Sequence, residues 1–162
     1  MLKLDCVVFV ALRQEVPDIF KLRGVKVLSL KALLAGDERG LEDLPFGMLC
    51  VVTGVGMRCA GLAAQWVHAH VHALLWLNLG GAGTAVEGYV DKILCPRFWE
   101  NETGKRVACW GELPFDYGLE ILTHVEMGLS VQSPGDTRAV CIDMEAFVYA
   151  EFCATQGQAF SA

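Results

Sequence analysis

Residues 59–86 contain no Asp, Glu, Lys or Arg. A charge-free stretch of that length either crosses a bilayer or is enclosed by the rest of a protein. Three His, one Gln, one Asn and the cluster Gly80-Gly81-Ala82-Gly83 within it favour enclosure. Ala60, Ala63, Ala64, Val67 and Val71 recur at spacings of three and four, which predicts a packed helix face running to about Ala73. Residues 74–79 (LLWLNL) predict a central strand, with the glycine cluster as the loop at its end. A helix and a strand that both lack charge need neighbours on every side, so the remaining chain has to cover them.

The flanks supply that cover. Residues 6–10 (CVVFV) and 48–53 (MLCVVT) read as buried strands, and 25–30 alternates like another. A short helix is expected over 12–22, with Pro17 in its first turn. The charged, glycine-containing segment 37–47 reads as a loop. Further strands are expected at 90–95 (stopped by Pro96), 107–110, 119–123 and 139–142. Residues 99–105 read as a polar turn, and 130–137, with Pro134 and Gly135, as a loop. A helix over 143–156 is closed by Gly157. Apolar strands alternating with helices predict an α/β fold with a mixed, largely parallel central sheet flanked by helices. One domain spanning 1–162 accounts for the length without a repeat or a linker.

Composition narrows the function. With 54% hydrophobic and 20% charged residues the chain is globular rather than disordered. A net charge of −6 argues against a nucleic-acid surface, which needs a basic face. It leaves open small anions held by backbone N–H groups. Seven cysteines, mostly set in apolar runs and without a C-x-x-C, read as buried reduced thiols of a cytoplasmic protein. Lys3 and Asp5 interrupt the start, where a secretory signal would be apolar.

Four stretches carry the chemistry. In 140–150 (VCIDMEAFVYA) an apolar strand meets Asp143, Met144 and Glu145, and a helix follows at once. Ligands of α/β sheets bind at such strand ends, and carboxylates are favoured at a helix start. As pure acceptors they suit sugar hydroxyls or another donor-rich ligand. Gly81, Ala82 and Gly83 keep side chains out of the space above their strand, which suits a flat ligand; a sharp turn in a crowded interior is the plainer reading. Gly54-Val55-Gly56 lies between a strand and a helix, where free N–H groups hold an anion or merely make a tight turn. The next glycine is Gly61, so the dinucleotide spacing is not met. Arg58 strengthens the anion reading unless it is a surface charge. Glu15 follows the first strand and matters only if it faces the same crevice as Glu145. His68 and His72 share a helix face, yet no further ligand is near, so neither metal nor cofactor is expected.

In this order, CVVFVALRQEV, VVTGVGMRCAG, LLWLNLGGAG and AVCIDMEAFVYAEFC resemble the nucleoside phosphorylase/nucleosidase superfamily over roughly residues 5–160. The likeness is strongest to its small members of the methylthioadenosine/S-adenosylhomocysteine nucleosidase kind. The resemblance implies cleavage of a nucleoside N-glycosidic bond by water or phosphate, without a metal, in nucleoside salvage. It implies that Glu15 handles the attacking water and Glu145 binds the ribose hydroxyls. Met144 would lie along the sugar, with Asp143 supporting that site. Gly81, Ala82 and Gly83 would line the base, and Gly56 and Arg58 would fall near a phosphate. Gly81 stands where the nucleosidases carry Ser. The family continues through another strand to a Ser-Asp step, whose Asp protonates the leaving purine, and a last helix. The printed sequence stops at Ala162, so the sheet is expected to lack that last strand and helix.

The reading is therefore a nucleosidase or phosphorylase acting on a small nucleoside, in a homo-oligomer, with no nucleic-acid or membrane partner. The alternatives are a catalytically impaired relative that binds nucleoside or serves only structurally, and a generic nucleotide-binding domain built on the Gly54–Gly56 turn.

Overall fold

β1 (Leu2–Val10) is central because neither of its faces tolerates water: Val7 and Phe9 pack to one side, Cys6, Val8 and Val10 to the other, and all are buried. In the computed structural model, residues 1–37, 39, 41, 44–84, 93–94, 96–109, 121–122, 128–129 and 141–162 are described. After β1 the chain makes a 3-10 turn (Arg13–Glu15), α1 (Asp18–Leu22), β2 (Lys26–Ser29) and α2 (Leu30–Leu34). A second 3-10 turn (Pro45–Gly47) leads to β3 (Met48–Val52), α3 (Met57–His70) and β4 (Val71–Asn78). Then follow β5 (Ile93–Leu94), β6 (Phe98–Glu100), β7 (Arg106–Ala108), β8 (Ile121–Leu122), β9 (Gly128–Leu129), β10 (Cys141–Ile142), α4 (Ala146–Gln156) and β11 (Ala159–Ser161).

The main sheet has the order β11-β4-β1-β3-β2, and every pairing in it is parallel. Register brings the carboxyl ends together, with Val10 beside Val52 and Phe9 beside Asn78. A parallel sheet needs both faces covered. On one face α3 and α4 bury Ala60, Ala63, Ala64, Val67, Phe147, Tyr149 and Cys153 against Val7, Phe9, Val51 and Trp76. On the other, Val16, Phe20 and Val25 cover Cys6, Val8, Val10, Cys50 and Leu77. Each fully buried Val, Leu or Phe contributes about 1.5–3 kcal/mol relative to exposure. Burial pushes the Cys6 and Cys50 thiols up to about 12, with Asp5 adding to the shift at Cys6, so both stay protonated and inert. A smaller sheet, β10-β9-β6-β7, mixes parallel pairs with one antiparallel hairpin, β6–β7.

The architecture is the mixed, largely parallel one that the alternating pattern implies; the boundaries differ for local reasons. The helix expected over 12–22 is broken in two. Pro17 disfavours helical geometry at the residue before it, and Val16 is extended (φ −64, ψ 117). Ser29 caps an unexpected α2, its Oγ accepting from the Ala32 N–H (3.2 Å). The helix expected to reach Ala73 stops at His70, because Val71 already pairs with Leu2. His72 therefore lies on β4 and shares no helix face with His68. The expected turn 99–105 starts inside β6: Trp99 is buried and faces Val107, and Glu100 pairs with Arg106 across the hairpin. Gly157 ends α4 in the left-handed conformation (φ 67), as a C-terminal glycine should. Beyond it, Ala159–Ser161 adds a short edge strand beside β4 that the sequence reading did not assign. Of the other expected elements, positions 90–92, 95, 110, 119–120, 123 and 139–140 and the loop 130–137 lie outside the described residues. Among the described residues no helix is long and apolar enough to cross a membrane.

Candidate active site

Four chain segments leave the carboxyl ends of the strands at the same edge and are tied to one another by the backbone. The N–H groups of Thr53 and Gly54 donate to the carbonyls of Val10 (2.9 Å) and Ala11 (3.0 Å), and the Leu79 N–H donates to Phe9 O (2.9 Å). Gly83 and Ile142 exchange two hydrogen bonds, at 2.9 and 2.7 Å, as an antiparallel bridge. That bridge fixes the glycine loop after β4 against the entrance to α4.

Glu15 sits half-buried in the 3-10 turn after β1. Its Oε2 accepts from the Leu12 N–H (2.7 Å), and its Oε1 accepts from the Gly81 N–H (3.2 Å). The carboxylate thus bridges the loops after β1 and β4, which are adjacent strands. Asp143 is buried and starts α4: its Oδ1 accepts from the N–H groups of Glu145 (2.8 Å) and Ala146 (2.5 Å). The buried side chain of Asn78, at the end of β4, lies near enough to help draw the Asp143 carboxyl down. Glu145 is buried as well, and its Oε1 accepts from the Gly56 N–H in the turn between β3 and α3. The point where a Cβ on Gly80 would stand lies 3.7 Å from Asp143 Oδ2 and 3.8 Å from Glu15 Oε1. These are ordinary contact distances, so the backbone of this loop runs directly between the two acids.

The electrostatics follow from that crowding. Burial pushes the Asp143 carboxyl above the ordinary carboxylate range; its bonds from Ala146 and Glu145 pull it back, and repulsion from Glu15 pushes it up further. Burial likewise raises Glu145, against the bond from Gly56 and with repulsion from Asp143 and Glu15. Three acids that sense one another at a strand-end crevice form an acceptor-rich, negative pocket. It suits a ligand that brings several hydroxyl donors and develops positive charge on reacting.

Each residue singled out in the sequence has a definite place. Glu15, Asp143 and Glu145 converge. Met144 is partly exposed at the rim, and Gly81, Ala82 and Gly83 are exposed along the crevice wall. Gly56 joins the group in another way than as a free anion donor, since its N–H is engaged by Glu145. Arg58 is exposed in the first turn of α3. His68 packs edge-on against Phe152, and the ring of His70 stacks on Trp66. Among the described residues no cluster of three or more His, Cys, Asp or Glu is placed to hold a metal.

No protein-family model matches the chain, and no curated protein matches it significantly. Solved structures do match. The 5′-methylthioadenosine/S-adenosylhomocysteine nucleosidase of Neisseria meningitidis, in complex with methylthio-immucillin-A, aligns with a TM-score of 0.68 at 19% identity, over 99% of this chain and 83% of that one. The Helicobacter pylori nucleosidase of the same description, with butyl-thio-DADMe-Immucillin-A, gives 0.66 at 14% identity, over 99% and 83%. Futalosine hydrolase of Helicobacter pylori gives 0.66 at 14%, over 98% and 82%. The chain has the nucleoside phosphorylase/nucleosidase fold.

Within this nucleosidase-type fold, sequence reasoning missed three polar residues that shape the crevice. Asn78 is buried beside Asp143; an Asn ending the apolar strand LLWLNL was the available signal. Thr53 is buried at the end of β3, its hydroxyl placed to donate to Val10 O (3.2 Å) and Gly54 O (2.9 Å). Tyr149 lies one turn after Glu145, and nothing in the local pattern separates it from the core residues around it.

Proposed function

We propose that this protein cleaves the N-glycosidic bond of a small nucleoside, with water as the nucleophile. The observation that carries the reading is the meeting of Glu15 and Asp143 beside Gly80, with Glu145 near enough to be repelled by both, at the strand ends of a nucleosidase-type sheet. Glu145 grips the ribose hydroxyls, and orienting the sugar in this way lowers the entropic part of the barrier. Met144 lies along the sugar. Asp143 holds the start of α4 and so aims Glu145. Gly81, Ala82 and Gly83 line the base, where small residues admit a flat ring. Glu15 takes a proton from the attacking water as its oxygen bonds to the sugar's anomeric carbon; the bond from that carbon to the base nitrogen breaks, and the base leaves with the electron pair and takes a proton from solvent. Base catalysis of this kind contributes typically about 10²- to 10⁴-fold. An oxocarbenium-like transition state gains from the negative pocket.

Water is favoured over phosphate for a local reason. The Gly56 N–H is engaged by Glu145, Arg58 is exposed, and the remaining charge of the crevice is acidic. Bound nucleoside analogues in the solved nucleosidases support a nucleoside as ligand. Exposed Leu12, Val55, Met57 and Met144 beside the site residues support a homo-oligomer that covers them, which light scattering would test.

The decisive experiment incubates the protein with methylthioadenosine, adenosine, inosine and uridine, each with and without phosphate. Free base from at least one nucleoside, released at the same rate without phosphate, is the expected result. Release only with phosphate would overturn the choice of nucleophile, and no release from any of them would overturn the enzyme reading. Calorimetric binding without release would leave the non-catalytic nucleoside-binding alternative.

A further inference from the structure

Tyr149 has no part in the reaction as described so far. It lies on α4 one turn after Glu145, and its ring is wholly buried and stacked on Phe9 of β1, with centroids 4.4 Å apart. Its hydroxyl has no hydrogen-bond partner among the described residues. The Thr53 hydroxyl, which donates to the Gly54 and Val10 carbonyls, lies near enough to draw the phenol's pKa down against burial, yet the two hydroxyls do not meet in hydrogen-bond geometry. A buried hydroxyl left unpaired is destabilising, and Phe would fill the same volume without that penalty.

Helix geometry says where the hydroxyl points. Residues i and i+4 share a face, and long side chains lean toward the helix amino end. Tyr149 therefore reaches back beneath Glu145. The groups facing it are Glu145 and Asp143 at the start of α4, Thr53 at the end of β3 and Cys59 on α3. Glu145 in turn faces the Gly56 N–H, Asp143 and Glu15. A phenol is the one strong side-chain donor in this set not already committed to a carbonyl or an acid.

We propose that Tyr149 is a positioning residue: its hydroxyl donates to the Glu145 carboxylate when that carboxylate leaves the Gly56 N–H to take a ligand's hydroxyls. The donor that Glu145 gives up is replaced from below, and the acid stays ionised while it holds the sugar. The unpaired hydroxyl is then a cost of the empty state that the loaded state removes. This inference rests on the nucleoside reading for its ligand.

The test compares the wild type with Tyr149→Phe, measuring methylthioadenosine affinity (Kd, or KM where there is turnover) across pH 4–8, with thermal unfolding of the free protein alongside. The variant is expected to unfold at the same temperature as the wild type or higher, because it removes an unpaired group. Its affinity is expected to fall about 10-fold near neutral pH, and the acid limb of its affinity profile to move up by about one pH unit. A purely space-filling Tyr149 would leave both the affinity and its pH profile unchanged, and that result overturns the proposal. A clear loss of stability in the free variant also overturns it, because the hydroxyl would then already have a partner. A wild type that binds no nucleoside overturns the nucleoside reading and this proposal together; binding by the wild type with identical profiles for both proteins overturns this proposal alone.

Discussion

Replacing Glu145 by Gln separates the site's chemistry from its stability, because the two should move in opposite directions. The acid is buried, it takes the Gly56 N–H, and it is repelled by Asp143 and Glu15; the net result is a raised pKa. The unfolded chain ionises such a group at about 4.3. For an acid whose folded pKa is raised, stability is greatest below the unfolded value and is lost as pH rises through the folded value. Gln resembles the protonated acid and keeps a carbonyl for the Gly56 N–H. Glu145→Gln should therefore match the wild type in stability at about pH 4 and equal or exceed it at pH 7, in urea unfolding followed at both pH values. Ligand binding should respond the other way. Hydrogen bonds to a charged acceptor contribute about 1.5–3 kcal/mol, against about 0.5–1.5 for a neutral one. A difference of about 1.4 kcal/mol per hydroxyl corresponds to a tenfold loss, so two ribose hydroxyls predict roughly 10- to 100-fold weaker nucleoside binding. Wild-type affinity should also fall on acidification, and the fall should begin above the ordinary Glu range. Unchanged affinity in the variant would refute the sugar-binding role. A variant clearly less stable at pH 7 than at pH 4, relative to the wild type, would refute the electrostatic argument.

Asp143→Ala removes the acceptor of two N–H groups at the start of α4; it should cost about 2 kcal/mol, read from the urea midpoint at constant slope. Gly56→Ala meets no atom within 4 Å, yet at φ 99 it should lose about 1–3 kcal/mol from backbone strain, read from the urea midpoint. Gly81→Ser should be tolerated within about 0.5 kcal/mol, since its Cβ would stand an ordinary 3.9 Å from Glu15 Oε1; unfolding well below the wild-type temperature would contradict this.

Much of the sheet was legible because its signals are local. Runs such as CVVFV and MLCVV announce buried parallel strands, and the alanines of α3 mark a helix face laid on them. The Asp-Met-Glu step was legible for the same reason, as a change from strand to helix within three residues. Element ends were less so. Val71 left the helix because Leu2 lay opposite it, and Val16 was held extended by Pro17. The hairpin at Trp99 depended on Val107 facing it, a pairing that no periodicity within 99–105 reveals.

Local sequence, then, determined which segments must be buried, which glycines end strands, and which acids stand at strand ends, because those properties follow from hydrophobicity, backbone freedom and charge at neighbouring positions. Only tertiary structure decided which acids meet. Glu15 reaches the Gly81 N–H because parallel pairing sets β1 beside β4. Glu145 takes the Gly56 N–H, so a candidate anion donor is occupied by an acid from the start of α4. The raised pKa values of Asp143 and Glu145 and the unpaired hydroxyl of Tyr149 likewise exist only once these segments are packed, since desolvation and repulsion depend on distance through space and not along the chain.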